Sequence, residues 1–202
     1  HNARAPLGCR ARLATIDYQD EAGKPIVRRQ GFFIEDVDDV AARNRLARAR
    51  TGDSVPPTAL SQADAGRFAV FSYAIANLDW SMSAGPPGEG CCHNARLFQG
   101  KGGLVPVPYD FDFAGIVDAP YATPPQNVPV ANVRVRRYRG QCALNAAATA
   151  AAADLVARRG DLNATLAAVP GLNPDRVEKA RNFLNASLDE LATPEKMLKT
   201  CR

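Results

Sequence analysis

Val107-Pro108-Tyr109-Asp110-Phe111-Asp112-Phe113-Ala114-Gly115 carries two carboxylates one residue apart, where an apolar run gives way to a turn. Just upstream, residues 95–98 and 104–108 flank Gln99-Gly100-Lys101-Gly102-Gly103, a glycine-rich hairpin signal between two strands. The second of those strands runs straight into Asp110 and Asp112. Beyond Gly115 lies a proline-rich loop over residues 118–129. The acid pair therefore sits at a strand end beside a loop, the kind of place where a rigid scaffold presents functional side chains.

Outward from this point the chain alternates strand and helix signals. Residues 12–18 alternate apolar and polar, residues 20–25 form a turn cluster, and residues 26–36 read as a second strand, together a β-hairpin. A helix is predicted over residues 36–50, acidic at its start and with Arg43, Arg45, Arg48 and Arg50 towards its end, which suits the helix dipole. Ser61 is placed to cap a helix running to about residue 76, with Phe68, Phe71 and Ile75 on one face. Residues 77–90 are irregular and rich in glycine and proline. Residues 133–139 are basic and alternating, a solvated strand face or a phosphate-binding one. From residue 142 the chain is helical: an alanine-rich helix to residue 159, a break at 170–174, and a helix over 174–191. The class is α+β. Residues 1–50 hold the hairpin and a hinge-like segment; residues 51–202 hold the larger domain, with candidate site loops at 77–115 and a helical tail at 143–202. The echo His-Asn-Ala-Arg at 1–4 and 93–96 is too short to be a repeat.

Composition narrows the classes. The chain has 202 residues, enough for one domain or one with a tail. Its 46% hydrophobic and 23% charged residues argue against a wholly disordered chain. The net charge of +4 rests mostly on arginine, without the basic runs or interleaved aromatics of a nucleic-acid binder, so no nucleic-acid partner is expected. No apolar run is long enough for a transmembrane helix, and the first four residues carry no signal-peptide core. Five cysteines (Cys9, Cys91, Cys92, Cys142, Cys201) without any CxxC argue against structural zinc. Buried thiols and disulfides are both open. Adjacent Cys91-Cys92 in a Gly/Pro loop favours two disulfides with one thiol left over, and with them a periplasmic or secreted location over a cytoplasmic one.

Three polar groups stand out in the middle third: Asn77 with Asp79, His93 with Asn94, and Asp110 with Asp112. Asp, then Asn, then a strand-end Asp is the order used in phosphoryl transfer. There the first carboxylate accepts the acceptor's hydroxyl proton, and the amide and later carboxylate hold Mg²⁺ on the nucleotide. His93 reads as a structural neighbour of Asn94, and Trp80 as a packing aromatic.

Ala76-Asn77-Leu78-Asp79-Trp80-Ser81, His93-Asn94 and Val107-Pro108-Tyr109-Asp110-Phe111-Asp112 together resemble the active-site half of atypical protein-kinase-like folds, such as the HipA and spore-coat CotH kinases and bacterial proteins of similar pattern. The resemblance spans roughly residues 13–142. It implies a protein-kinase-like fold, mostly the helical C-terminal lobe, with the hairpin as a remnant of the N-terminal lobe. It makes Asp79 the proton acceptor, Asn77 a brace of the catalytic loop, and Asn94 and Asp110 metal ligands supported by Asp112. Gly31-Phe32-Phe33-Ile34-Glu35-Asp36 resembles the strand entering the hinge, which sets Glu35 near the adenine edge. ATP and Mg²⁺ are the implied cofactors, and a hydroxyl on a protein, or else on a small molecule, is the acceptor.

Two departures matter. Asp79 and Asn94 are separated by fourteen residues, where protein kinases have four, so a loop insertion is expected over residues 85–92. No glycine-rich loop or strand lysine precedes the hinge-like strand; Lys24 and Lys101 lie in turns. The expectation is either a missing N-terminal portion or a relative without transfer activity. The competing readings are a pseudokinase-like or envelope binding module and a phosphatase using Asp110 and Asp112 as nucleophile and acid/base. A DxD glycosyltransferase is a weaker third.

Overall fold

The computed structural model describes residues 7–202. The N-terminal echo at residues 1–4 lies outside them, as does the first part of the hairpin-bearing segment. The described chain is α+β, with two separate antiparallel sheets.

Strands β1 (Ala11–Gln19) and β2 (Pro25–Ile34) form the first sheet, a long ribbon with Ala11 opposite Ile34 and Tyr18 opposite Val27. Asp20 closes its turn, accepting from the backbone N–H groups of Ala22 and Lys24. Every residue of both strands is exposed or only half-buried. Alternating residues do not make this ribbon amphipathic in place: Leu13, Phe32, Phe33 and Ile34 all face solvent.

Helix α1 (Val37–Arg43) starts where the sequence predicted, with the Asp36 carboxylate accepting from Asp38 N–H. It ends early, which corrects the helix expected over residues 36–50. Asn44 bonds back to the Val40 carbonyl, Arg45 turns left-handed (φ 54°), and β3 (Ala47–Arg48) joins a sheet edge. Ladder bonds to β4 replace the last helical turn, so only Arg43 is left to complement the dipole.

The second sheet runs β3-β4-β5, with β4 (Ala95–Gly100) and β5 (Gly103–Pro108) joined by the predicted tight turn. Strand alternation splits β4 between two cores. Leu97 enters the main core, while Phe98 packs on the opposite side with Val40, Ala41 and Val107.

The main core lies among α2 (Gln62–Ala74), α3 (Asn145–Ala157) and α5 (Pro174–Leu191), with Phe68, Trp80, Tyr138, Leu144, Leu184, Leu188 and Leu191 buried. Ser61 does sit at the N-cap of α2, but its hydroxyl bonds the Asp64 carboxylate rather than a backbone N–H. Helix α4 (Arg159–Ala167) and the short α6 (Glu195–Leu198) complete the tail. A disulfide between Cys142 and Cys201 joins the tail's two ends. Residues 133–139 form no strand, which corrects that expectation. Arg134 and Arg136 instead stack on the Phe183 ring, and Arg136 pairs with Glu190. These cations are used by packing rather than left as a solvated face.

Candidate functional site

Helix α2 ends in the turn that builds the site. Ala76 adopts left-handed backbone (φ 51°) and is fully buried. The chain then folds over Asn77, whose side-chain oxygen accepts the Asp79 N–H at 3.0 Å. The Asn77 carbonyl accepts the indole N–H of Trp80 at 2.9 Å. Asn77 is 3% exposed and accepts both bonds within this local turn, so it shapes the loop that carries Asp79. Trp80 is core, packed edge-on against Phe68.

Two further segments close on Asp79. His93 Nε2 lies 2.7 Å from one carboxylate oxygen. In the tautomer with its proton on Nε2, the imidazole donates there. The Asn94 amide donates to the other carboxylate oxygen at 3.0 Å and to the Asp79 backbone carbonyl at 2.8 Å. Both amide protons of Asn94 are thus spent on Asp79, and its side-chain oxygen takes part in neither bond. Asn94 is itself left-handed (φ 51°), a conformation that asparagine tolerates better than most residues. The intervening residues form a loop, and backbone bonds from Ser81 N–H to the His93 carbonyl and from His93 N–H to the Ala84 carbonyl close its base.

The acid pair arrives from β5. Tyr109 N–H bonds the Asn94 carbonyl, and Asp110 then turns left-handed (φ 59°). Partial desolvation raises the Asp110 carboxyl above its ordinary value, and the neighbouring carboxyl of Asp112 and the charge of Asp79 push it further the same way. Tyr121, from the proline-rich loop, lies beside Asp112 and Asp110; desolvation and those carboxylates raise its phenol. The turn is fastened to the end of α2 by Gly115 N–H to the Ala76 carbonyl and Ile116 N–H to the Ile75 carbonyl. Gly115 is required there, because a Cβ would stand 2.5 Å from the Val133 carbonyl and 2.8 Å from Ala76 Cβ. Among the described residues, four of the five non-glycine positions with positive φ (Ala76, Asn94, Asp110 and Asp118) belong to these segments; the fifth is Arg45. Such conformations persist only where surrounding structure over-determines them.

Asp79 is therefore bonded to His93 and Asn94, and its charge reaches Asp110, which is paired with Asp112. Among the described residues no group of three or more His, Cys, Asp or Glu side chains is spaced to hold a metal ion. Glu35 is not drawn in. Its carboxylate is held by the Arg43 guanidinium at 2.9 and 2.8 Å and by the Arg10 N–H at 2.9 Å, and those bonds lower it to about 2. The sequence reading named His93 but not its bond to Asp79, and it missed Arg139 as a member. His93 bonds Asp79 directly rather than merely neighbouring Asn94. Arg139 donates to the Leu78 carbonyl and lies 5.3 Å over the Trp80 ring, clamping both flanks of Asp79. Burial chiefly, with the charge of Arg202, lowers the Arg139 guanidinium to about 10. The signal for His93 was its place between the cysteine pair and Asn94; nothing in the basic run distinguished Arg139 from its neighbours.

Fold and site together define an α+β protein with a carboxylate centre braced by an amide and an imidazole. Comparison with known proteins yields no matching family model, no matching curated protein and no matching solved structure. No helix among the described residues is long and apolar enough to cross a membrane.

Proposed function

We propose that the protein is a kinase-like phosphotransferase that uses ATP and Mg²⁺ to phosphorylate a hydroxyl, on a protein in preference to a small molecule. The observation that carries this reading is the convergence on Asp79: His93 and Asn94 grip its carboxylate while Asp110 and Asp112 crowd in from a separate strand end. The donor types, rather than a preformed cluster, support the metal. Asp110, Asp112 and the Asn94 side-chain oxygen are hard oxygens of the kind Mg²⁺ takes, and a carboxyl raised by desolvation and then by two neighbouring acids is one whose charge a cation would relieve.

In this reading Asp110, Asp112 and Asn94 would hold Mg²⁺. The bound metal–nucleotide supplies the γ-phosphoryl group and neutralises its charge. Asp79 takes the proton of the acceptor hydroxyl. The Asn77 turn, His93 and Asn94 fix its carboxylate in direction, which is most of what such a reaction asks of the protein. Two disulfides support a periplasmic or secreted site of action.

A non-hydrolysable ATP analogue with Mg²⁺ should raise the melting temperature, and Asp110→Ala should abolish the shift. No shift with the wild-type chain sinks the reading. Asp79→Ala should retain the shift and lose phosphoryl transfer; undiminished transfer removes Asp79 from its role. A binding module without transfer is favoured by one observation. Among the described residues no lysine is bonded to the Asp79–Asp112 group, where kinases use one to hold phosphates. A wild-type thermal shift without any transfer would select that module.

A further inference from the structure

We propose that Cys91–Cys92 is a thiol–disulfide exchange site for a dithiol reductant, and that opening it loosens the centre at Asp79; as regulation of that centre, the inference rests on the function proposed above. The two residues are joined to each other, and the very next residues, His93 and Asn94, are those that grip the Asp79 carboxylate.

The loop over residues 81–93 is also held by bonds independent of the bridge. The Asp53 carboxylate accepts from Gly88 and Gly90 N–H, and its carbonyl accepts from Gly85 N–H. A side chain at Gly85 would collide with the Gly90 carbonyl, so the loop's two limbs are in close contact. Cys91 N–H bonds the Gly52 carbonyl, and the Cys91 carbonyl accepts from Thr51 Oγ. His93 then spans the loop base, bonded to Ser81 on one side and Ala84 on the other. The bridge restrains the backbone leading directly into that residue.

The two disulfides differ in what they do for the fold. Cys142–Cys201 spans 59 residues and constrains the unfolded chain. A bridge between neighbours closes no chain loop, so its opening removes little loop-closure entropy and leaves the fold standing. Its effect is local, which is what a switch requires. Cys92 is 4% exposed, whereas Cys91 is half-buried against the core, so Cys91 is the more exposed of the two and the sulfur assigned to attack by a thiolate. Attack there forms a mixed disulfide and expels the Cys92 thiolate, which takes a proton. The reductant's second thiolate then closes its own disulfide and releases Cys91. The dithiol loses two electrons and two protons, and the cysteine pair gains them.

The test uses the full chain at fixed pH and dithiothreitol as the dithiol. Alkylation and mass measurement record which bridge is open. Amide hydrogen exchange at Ser81 and His93 and the His93 imidazole NMR signal report the centre without any nucleotide. Opening Cys91–Cys92 should speed exchange at both amides by at least about tenfold and move the imidazole signal, with α2 and α3 unchanged. Cys91→Ser/Cys92→Ser should reproduce this in the absence of reductant, and Cys142→Ser/Cys201→Ser should not. Unchanged Ser81 and His93 signals in a chain with the bridge demonstrably open overturn the proposal. So does a bridge that dithiothreitol cannot open while the chain stays folded. The ATP analogue with Mg²⁺ separates the two readings. Equal thermal shifts in the open and closed forms overturn the regulation. No shift in either form, with the exchange effect present, overturns the phosphotransferase reading and leaves the exchange site in place.

Discussion

Asp110 combines a left-handed backbone with a carboxyl raised by desolvation, by Asp112 and by Asp79. A carboxyl raised in the folded state binds its proton more tightly folded than unfolded. Stability therefore falls as pH rises from the ordinary value of 3.8 through the raised one. At neutral pH the charge of Asp110 opposes the fold. Asp110→Asn removes that charge and keeps a residue suited to positive φ. The variant should melt higher than wild type at pH 7 without metal. The advantage should shrink as pH falls through the raised value and vanish below 3.8, where the Asp110 carboxyl is protonated in both the folded and the unfolded chain. A lower melting temperature for Asp110→Asn at pH 7 would show that the carboxylate stabilises the turn. At this scale the order of Asn77, Asp79, Asn94, Asp110 and Asp112 was legible, because strand ends and turns announce themselves in sequence. The bond from His93 to Asp79 and the role of Arg139 were not, because a hydrogen bond across fourteen residues, or to a carbonyl sixty-one residues away, leaves no local pattern.

Helices α2 and α3 show why composition can be read and close approach cannot. The alanine-rich stretch was legible as a tightly packing helix, and Ala148 and Ala152 are fully buried. The residue it packs on is Gly66, in the middle of α2, where propensity alone would ask for alanine. A Cβ at Gly66 would lie 2.8 Å from Ala147 Cβ and 2.9 Å from the Ala147 backbone. Gly66→Ala gains about 1 kcal/mol of helix propensity. Against that, overpacking two backbones costs about 1–3 kcal/mol, so the variant should lower the urea midpoint. Gly160→Ala is the control, since nothing lies within 4 Å of a Cβ there. It should stabilise by about 0.4–1 kcal/mol. If both variants stabilise, α2 and α3 part without cost and Gly66 is not a contact requirement. The elements misread at this scale, helix 36–50 and strand 133–139, failed for one reason. Tertiary partners, the β4 edge for Arg48 and the Phe183 ring for Arg134 and Arg136, outweighed local periodicity.

The whole molecule divides by how its parts are held. The β1–β2 ribbon is paired with itself and exposed along its length, and a lone two-stranded ribbon is marginal in water. The helical body is closed on itself. Arg202 N–H bonds the Gly140 carbonyl, Cys142 N–H bonds the Arg202 carbonyl, and Cys142–Cys201 locks the same junction. That bridge encloses α3 to α6, with Leu184, Leu188 and Leu191 in the core between its ends. A loop of 59 residues sets its worth by chain entropy at about 4 kcal/mol, and measured bridges fall at about 2–4 kcal/mol. Cys142→Ser/Cys201→Ser should therefore lower the unfolding free energy by about 2–4 kcal/mol in urea, with a steeper slope because the unfolded chain is no longer held compact by the bridge. Hydrogen exchange in the β1–β2 ribbon should not follow, because its opening is local and already faster than global unfolding. Had the ribbon amides accelerated in step with those of α3 and α5, ribbon and body would open as one cooperative unit. Exchange that separates the two makes the helical body, which frames the Asp79 centre from α2 onward, the unit whose stability the bridge sets.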